Sequence, residues 1–250
     1  LKESLKVGLA QIDVRLGDLA HNLEKHLDFI RQARSQGVDL ICFPELSVTG
    51  YFLEDLVPTM AMCPSPDEPT FRALLAESRD IDILLGFPEM DDRRRFYISS
   101  AYLSQGEIVG VHRKTHLSGY RMFDEKRFFA PGDAIRAFDT RFGRIGILIC
   151  EEAWHVSPAY LLWLDGADIL IHVAAGPGYG IRADSSELGS ASAVDLLSRM
   201  YAQFFTAFVL YCNRVGVVDG ATFFGRASAV GPDGQFLAKG PDFDEALVVA

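Results

Sequence analysis

Along the first half of the chain, short apolar runs alternate with longer stretches whose apolar positions recur every three or four residues. Residues 6–11 read as a strand. Leu19, Leu23, Leu27, Ile30 and Ala33 then fall on one face of an amphipathic helix over 19–36, which Gly37 closes. Residues 38–43 form a short, continuously apolar run of buried-strand type ending at Pro44. The same alternation predicts a helix over 70–79 and a strand over 81–87. Runs at 96–103 and 107–112 flank Gln105-Gly106, a hairpin signal. Residues 113–133 lack a period and read as a long loop. Strands follow at 145–150 and 168–173, separated by a helix from about Ser157. A helix over 194–205 precedes a strand over 208–212, and Pro232-Asp233-Gly234 turns between two more strands. Strands that alternate with helices early and pair through hairpins later predict an α/β domain with a mixed sheet or two sheets. No Pro-, Gly- or Ser-rich linker divides the chain, so residues 1–250 are read as one domain. One internal echo, 38–45 against 81–89, carries Phe-Pro-Glu both times and suggests two similar halves.

Composition narrows the classes of function. Of 250 residues, 49% are hydrophobic and 23% charged, which supports a substantial core rather than a disordered chain. Thirty-four Asp and Glu against twenty-four Lys and Arg leave a net charge of −10. The longest basic run is Arg93-Arg94-Arg95, too short for the stripe a nucleic-acid protein carries. No apolar run reaches the ~18 residues of a membrane span. Leu1-Lys2-Glu3-Ser4 leads straight into the first strand, without the apolar stretch of a signal peptide. The expectation is a cytoplasmic protein with neither membrane nor nucleic-acid partners. Cys42, Cys63, Cys150 and Cys212 lie far apart, with no CxxC or zinc spacing. A core of this size does not need disulfides, so reduced thiols and no metal centre are expected.

Three strands deliver a chemically capable residue at their ends, where α/β folds keep their sites. These residues are Glu45 after Ile41-Cys42-Phe43-Pro44, Lys114 after His112-Arg113, and Cys150 after Gly146-Ile147-Leu148-Ile149. A cysteine at a strand-to-helix turn has backbone N–H groups nearby that lower a thiol pKa and bind an oxyanion. The competing reading is a buried core cysteine, which Cys42 and Cys212, inside apolar strands, fit best. A nucleophilic thiol needs a base. His112, His116, His155 and His172 are candidates, as are Glu45 and its rival Glu89 in the second Phe-Pro-Glu. Local pattern does not choose among them. The i,i+4 pair His112/His116 lacks an HExxH context and lies in loop, so it is not read as a metal pair. Gly176-Pro177-Gly178-Tyr179-Gly180 matches neither dinucleotide nor P-loop patterns and reads as a loop at the mouth of a site.

Taken in order, these pieces resemble the nitrilase, or carbon–nitrogen hydrolase, superfamily over essentially the whole chain. The matching segments are Val7-Gly8-Leu9-Ala10-Gln11, Phe43-Pro44-Glu45-Leu46 with Thr49-Gly50-Tyr51, Arg113-Lys114-Thr115-His116-Leu117, and Ile147-Leu148-Ile149-Cys150-Glu151. The resemblance puts the family's Glu, Lys and Cys on Glu45, Lys114 and Cys150, against Glu89 and the histidines. It puts a second active-site glutamate on Glu125. The implied fold is a four-layer α-β-β-α sandwich that commonly dimerises, so a homodimer or higher homo-oligomer is expected. Within the family, Gly50-Tyr51 with Glu54-Asp55-Leu56, the stretch 120–129, and Cys150-Glu151-Glu152-Ala153-Trp154 look like the glutaminase domain of glutamine-dependent NAD synthetase. Two departures separate the chain from that branch. It reads Val173-Ala174-Ala175-Gly176-Pro177-Gly178 where a Ser-Pro-Phe segment is usual, and it carries no Ser-Gly-Gly motif of an ATP pyrophosphatase.

The resemblance implies a cofactor-free hydrolase that opens a small carboxamide through a thioester on Cys150. Glu45 would act as base and acid, and Lys114 with the Glu151 N–H would hold the oxyanion. Glu125 would support Lys114 or the substrate, and Tyr51, Tyr120, Glu151 and Trp154 would line the pocket. A glutaminase that passes ammonia to a separate NAD synthetase is the second reading. A catalytically silent binding protein on the same fold is the third, and fold alone does not exclude it.

Overall fold

The computed structural model describes residues 4–182 and 185–250. The first half runs β1 (Val7–Gln11), α1 (Leu19–Ser35), β2 (Leu40–Cys42), α2 (Val57–Met60), α3 (Pro69–Glu77), β3 (Asp82–Met90), β4 (Phe96–Ser104) and β5 (Glu107–Arg113). A single helical turn, α4 (Glu125–Phe128), leads into β6 (Phe138–Thr140), β7 (Gly143–Ile149), α5 (Val156–Leu164) and β8 (Ile169–Ala174). Next come β9 (Ile181–Arg182), β10 (Ser185–Leu188), α6 (Gly189–Phe205) and β11 (Phe208–Asn213). The chain closes with β12 (Val215–Val218), β13 (Ala221–Phe224), β14 (Ser228–Val230), β15 (Phe236–Lys239) and β16 (Ala246–Val249). Two six-stranded mixed sheets result, ordered β16-β1-β2-β3-β4-β5 and β15-β14-β11-β8-β7-β6.

Alternation along each strand explains the layering, because successive side chains point to opposite faces. Leu40 and Cys42 of β2 join Ile147 and Ile149 of β7 and Ile171 and Val173 of β8 in one apolar cluster between the sheets. Ile41 points the other way and packs with Ile83, Leu85, Phe29 and Ile30 of α1, and Phe71 and Leu74 of α3. Leu148, Leu170 and Val209 do the same on the far side, beneath Leu162 of α5 and Tyr201, Ala202 and Phe205 of α6. The fold is therefore the four-layer α-β-β-α sandwich, and its central strands are continuously apolar because both faces are covered.

Several elements differ from the sequence expectation. The stretch 113–133 is not all loop, since α4 forms one turn in it. The last helix begins at Gly189 rather than Val194, because Ser190 and Ala191 are too small to register as an apolar stripe although both are buried. The two Phe-Pro-Glu sequences follow or occupy β2 and β3, neighbouring parallel strands of one sheet, so the echo marks no division into halves. It also diverges: β3 continues through Pro88 and Glu89, whereas the chain leaves the sheet after Cys42. The Gln105-Gly106 hairpin holds, with both residues left-handed at φ 54 and 82. Among the described residues, no helix is long and apolar enough to cross a membrane.

The path out of β2 depends on one glycine. A Cβ at Gly86 would lie 2.5 Å from the Pro44 carbonyl oxygen and the Leu46 nitrogen, and 2.9 Å from the Glu45 Cα. Glycine inside a strand permits this close backbone approach. The Pro44–Leu46 backbone lies directly over β3 as a result. Gly86→Ala is expected to lower the unfolding free energy by about 1–3 kcal/mol, as overpacking does. A reduced midpoint in urea denaturation, at unchanged slope, checks this.

Candidate active site

Glu45, Lys114 and Cys150 follow the C-terminal ends of β2, β5 and β7, and hydrogen bonds from Lys114 to Glu45 and from Thr115 and Ile149 to Glu152 tie those ends together. Lys114 is fully buried, and Glu45 is only 1% exposed. The Lys114 ammonium donates to Glu45 Oε1 at 2.7 Å and to Glu125 Oε1 at 2.7 Å. Glu125 reaches this position from α4 because the loop folds back on itself. Its Oε2 accepts from the Ser118 N–H at 2.8 Å, and its own N–H donates to the Ser118 carbonyl at 3.2 Å. The Tyr51 hydroxyl also donates to Glu125 Oε1. The remaining oxygen of Glu45, Oε2, accepts from the Ala175 N–H at 3.0 Å.

Charge in this dry setting is divided unevenly. Burial raises the Glu45 pKa; Lys114 opposes the shift and the second carboxylate, Glu125, adds to it. For Lys114, burial works against the charge, but Glu125 and Glu45 outweigh it and hold the ammonium well above its ordinary value. The Cys150 thiol is pushed well above its usual range by burial first and the negative field of Glu45 second, with Lys114 opposing. The Ala175 N–H that serves Glu45 also favours the Cys150 thiolate. A carboxylate able to take a proton, a thiol that gives one up only when something accepts it, and a fixed ammonium therefore share one enclosure.

Cys150 opens a tight turn over Cys150–Trp154 with φ +47, in the left-handed region. That conformation costs an L-residue ~1–2 kcal/mol, so its surroundings must impose it. Glu152, fully buried, holds the turn. Its Oε2 meets His112 Nε2 at 2.8 Å and accepts from the Ile149 N–H at 2.8 Å. Its Oε1 accepts from the Thr115 N–H at 2.8 Å and hydroxyl at 2.6 Å. Burial opposes ionisation of Glu152, but His112 and these donors outweigh it and bring its pKa down to about 2. The network joins the turn after β7 to the segment that carries Lys114, across the two sheets.

Cys150 borders a small cavity of about 40 Å³, lined also by Tyr120, Glu151, Trp154, His172 and Tyr211. Tyr120 and Glu151 also line an outer basin of about 520 Å³, where the His116 and His155 rings lie tilted with centroids 4.4 Å apart. The Tyr120 hydroxyl donates to Glu151 Oε2 at 2.7 Å. Of the four residues expected to line the pocket, Tyr120, Glu151 and Trp154 border this cavity. Tyr51 does not; it stands behind Glu125, with Leu46 and Phe52 beside it. The Gly176–Gly180 loop contributes Gly176, Pro177 and Tyr179 to the wall.

The rival bases are engaged elsewhere. Glu89 takes a forked ion pair from Arg113 and a 2.7 Å hydrogen bond from the Ser99 hydroxyl. His112 is held by Glu152, and His155 lies 3.3 Å from Glu151. His172 donates from Nε2 to the Cys150 carbonyl at 3.2 Å, and burial lowers its pKa to about 4, so it is neutral at pH 7. All four cysteines are free thiols; Cys42 and Cys212 are buried and Cys63 is exposed. Among the described residues, no three His, Cys, Asp or Glu side chains converge as metal ligands.

Sequence reasoning missed three groups that position the site. Glu152 had a signal, the second carboxylate of Cys150-Glu151-Glu152, but nothing to show it would be buried. Asn213 had none. Its Oδ1 accepts from the Gly176 N–H at 2.7 Å, and its Nδ2 donates to the Gly176 carbonyl at 3.2 Å and the Gly225 carbonyl at 3.1 Å. The Ala175 N–H is backbone and has no residue signature.

Known proteins share this arrangement of chain. The carbon-nitrogen hydrolase family model matches residues 6–250. The glutamine-dependent NAD(+) synthetase of Acinetobacter baylyi is 31% identical over 248 residues, covering 98% of this chain and 43% of the synthetase. The structure of the glutamine-dependent NAD+ synthetase from Acinetobacter baumannii superposes with a TM-score of 0.88 at 30% identity, over 98% of this chain and 45% of that one. The chain thus spans less than half the length of these synthetases. An amidase from Nesterenkonia sp., whose active-site cysteine carries added acrylamide, has the same fold: TM-score 0.85 and 22% identity over 99% of this chain and 92% of that one.

The Glu152 network carries a pH signature. Its carboxyl titrates near 4.5 when unfolded and near 2 when folded, so its contribution is present above pH 4.5 and lost as pH falls through about 2. Glu152→Gln is expected to lose ~3 kcal/mol of unfolding free energy at pH 7. The gap to the parent should narrow between pH 5 and pH 2 in denaturant titrations.

Proposed function

The chain belongs to the carbon–nitrogen hydrolase family, and from that premise we propose that it hydrolyses the carbon–nitrogen bond of a small carboxamide through a thioester on Cys150. The observation that carries this reading is the buried Lys114 that bridges Glu45 and Glu125, on a segment that Glu152 ties through Thr115 and Ile149 to the turn bearing Cys150. An amide resists attack because its carbonyl is resonance-stabilised and its nitrogen is a poor leaving group. Glu45 takes the thiol proton as sulfur attacks the carbonyl carbon. The ammonium of Lys114 has three N–H bonds and spends two on carboxylates, leaving one for the developing oxyanion. The Glu151 N–H, at the start of a helical turn, is the second donor, and one such donor is worth ~3 kcal/mol. Glu45 then protonates the departing nitrogen, and ammonia leaves. With the same carboxylate as base, water opens the thioester and returns the free thiol. Glu125 positions Lys114 rather than the substrate, and Tyr51 positions Glu125.

A cavity of about 40 Å³ at Cys150 suits a short acyl group. L-Glutamine is the second reading, and what favours it is the 31% identity to an NAD(+) synthetase named for its glutamine dependence. Ammonia release from L-glutamine, measured beside a panel of short aliphatic amides, separates the two.

Cys150→Ala is expected to release no ammonia from any amide the parent hydrolyses, and parent-rate turnover would sink the thioester route. Glu45→Gln should lower kcat/KM by about 10²–10⁴-fold, the range for a general acid–base group, while a circular dichroism spectrum stays native. Because burial raises Glu45, its base form is lost at a higher pH than for a free carboxylate. The acid limb of kcat/KM should therefore bend above pH 4.5.

A further inference from the structure

The wall of the inner cavity holds one polar group that the chemistry above does not use. Tyr211, on β11, is 1% exposed, and its hydroxyl has no hydrogen-bond partner among the described residues. A buried hydroxyl left unpaired is expensive, and such a group calls for an explanation. Tyr211 is among the residues that line the inner cavity, and a Cβ built on Gly176, another lining residue, would come within 3.2 Å of the hydroxyl oxygen. Four other polar side chains of the wall already have partners. Tyr120 and Ser118 donate to Glu151, His172 to the Cys150 carbonyl, and Ser190 accepts from the Tyr179 N–H. The same cavity is lined by apolar Ala174, Pro177, Val194 and Phe224. The titratable groups that influence Tyr211, namely Cys150, Cys212, Asp195 and Glu45, are all acidic. They and burial keep the phenol protonated well above its ordinary range, so it remains a donor.

Resting on the amide-hydrolase reading, we propose that Tyr211 is a specificity-determining residue that hydrogen-bonds an uncharged oxygen on the acyl chain of the substrate. The substrate class is a short carboxamide whose acyl part carries a hydroxyl or carbonyl group. A carboxylate in that place would meet the negative field of Cys150, Asp195 and Glu45, with His172, neutral at pH 7, beside the Tyr211 ring, and an unsubstituted alkyl chain would leave the hydroxyl unsatisfied. A site built to pair with a substrate oxygen rejects the analogue that lacks it.

The test compares kcat/KM for ammonia release within two near-isosteric pairs: γ-hydroxybutanamide against pentanamide, and β-hydroxypropanamide against butanamide, with L-glutamine alongside. In the parent, at least one hydroxylated amide is expected to lead its partner by about tenfold or more, the value of a single hydrogen bond. Tyr211→Phe should reduce that ratio to near one. Because both amides meet the same variant, a general loss of fold or activity leaves the ratio unmoved. Gly176→Ser supplies a second approach that keeps Tyr211: a serine hydroxyl beside the phenol would satisfy it internally and should also erase the preference. The inference is overturned if the parent shows no preference in either pair. It is overturned equally if the preference survives both substitutions, or if L-glutamine outpaces every uncharged amide. A parent protein inactive on all of these amides, or a Cys150→Ala variant as active as the parent, would instead remove the amide-hydrolase reading and this inference with it.

Discussion

The arrangement turns on an ammonium group with no access to water. A lysine of zero exposure is tolerable only where its charge is met, and Glu45 and Glu125 meet it at equal distance. Two carboxylates against one ammonium leave surplus negative charge, which the Ala175 N–H, the Ser118 N–H and the Tyr51 hydroxyl spread. The groups that answer Lys114 come from the end of β2, from α4 and from the end of β8. The charge balance therefore cannot form until both sheets and the loop between them are in place. It also makes Glu45 unusual, because the same burial that requires the pairing raises its pKa toward the range where one carboxyl can both accept and return a proton.

A second buried charge does the mechanical part. Glu152 gathers His112, Thr115 and Ile149 around one carboxylate and so holds the left-handed Cys150 against the segment bearing Lys114. Gly86 and Asn213 act similarly through backbone. Gly86 lets the Glu45 segment lie directly over β3, and Asn213 clamps Gly176 from both sides. The site is thus supported on strand ends, with Gly176, Pro177 and Tyr179 of the following loop in its wall.

Much of this was legible in order of residues. Apolar runs gave the main strands because strands covered on both faces must be apolar throughout. Elements without such a pattern were missed: α4 is one turn, the start of α6 is made of small residues, and β12, β13 and β16 are short strands at edges or outside the main sheets. Glu45, Lys114 and Cys150 stood out because each follows an apolar strand, and the ordered segments around them match a known family. Glu89 had the same local signature as Glu45. Their partners separate the two physically: Glu89 is held by Arg113, 24 residues away, and by Ser99, whereas Glu45 meets Lys114 and the Ala175 N–H.

By itself, then, the chain determined which strands are central, which residues sit at their ends, and the family to which the pattern belongs, since local periodicity and motif order record these directly. Tertiary structure decided the rest. It put Tyr51 behind Glu125 instead of on the cavity wall, made Glu152 a buried anchor, left a buried Tyr211 hydroxyl unpaired, and set the Ala175 N–H against Glu45, 130 residues earlier in the chain. The reason is common to all four. Burial, and the partner that must accompany a buried polar group, are properties of the packed sheets and have no counterpart in any single stretch of sequence.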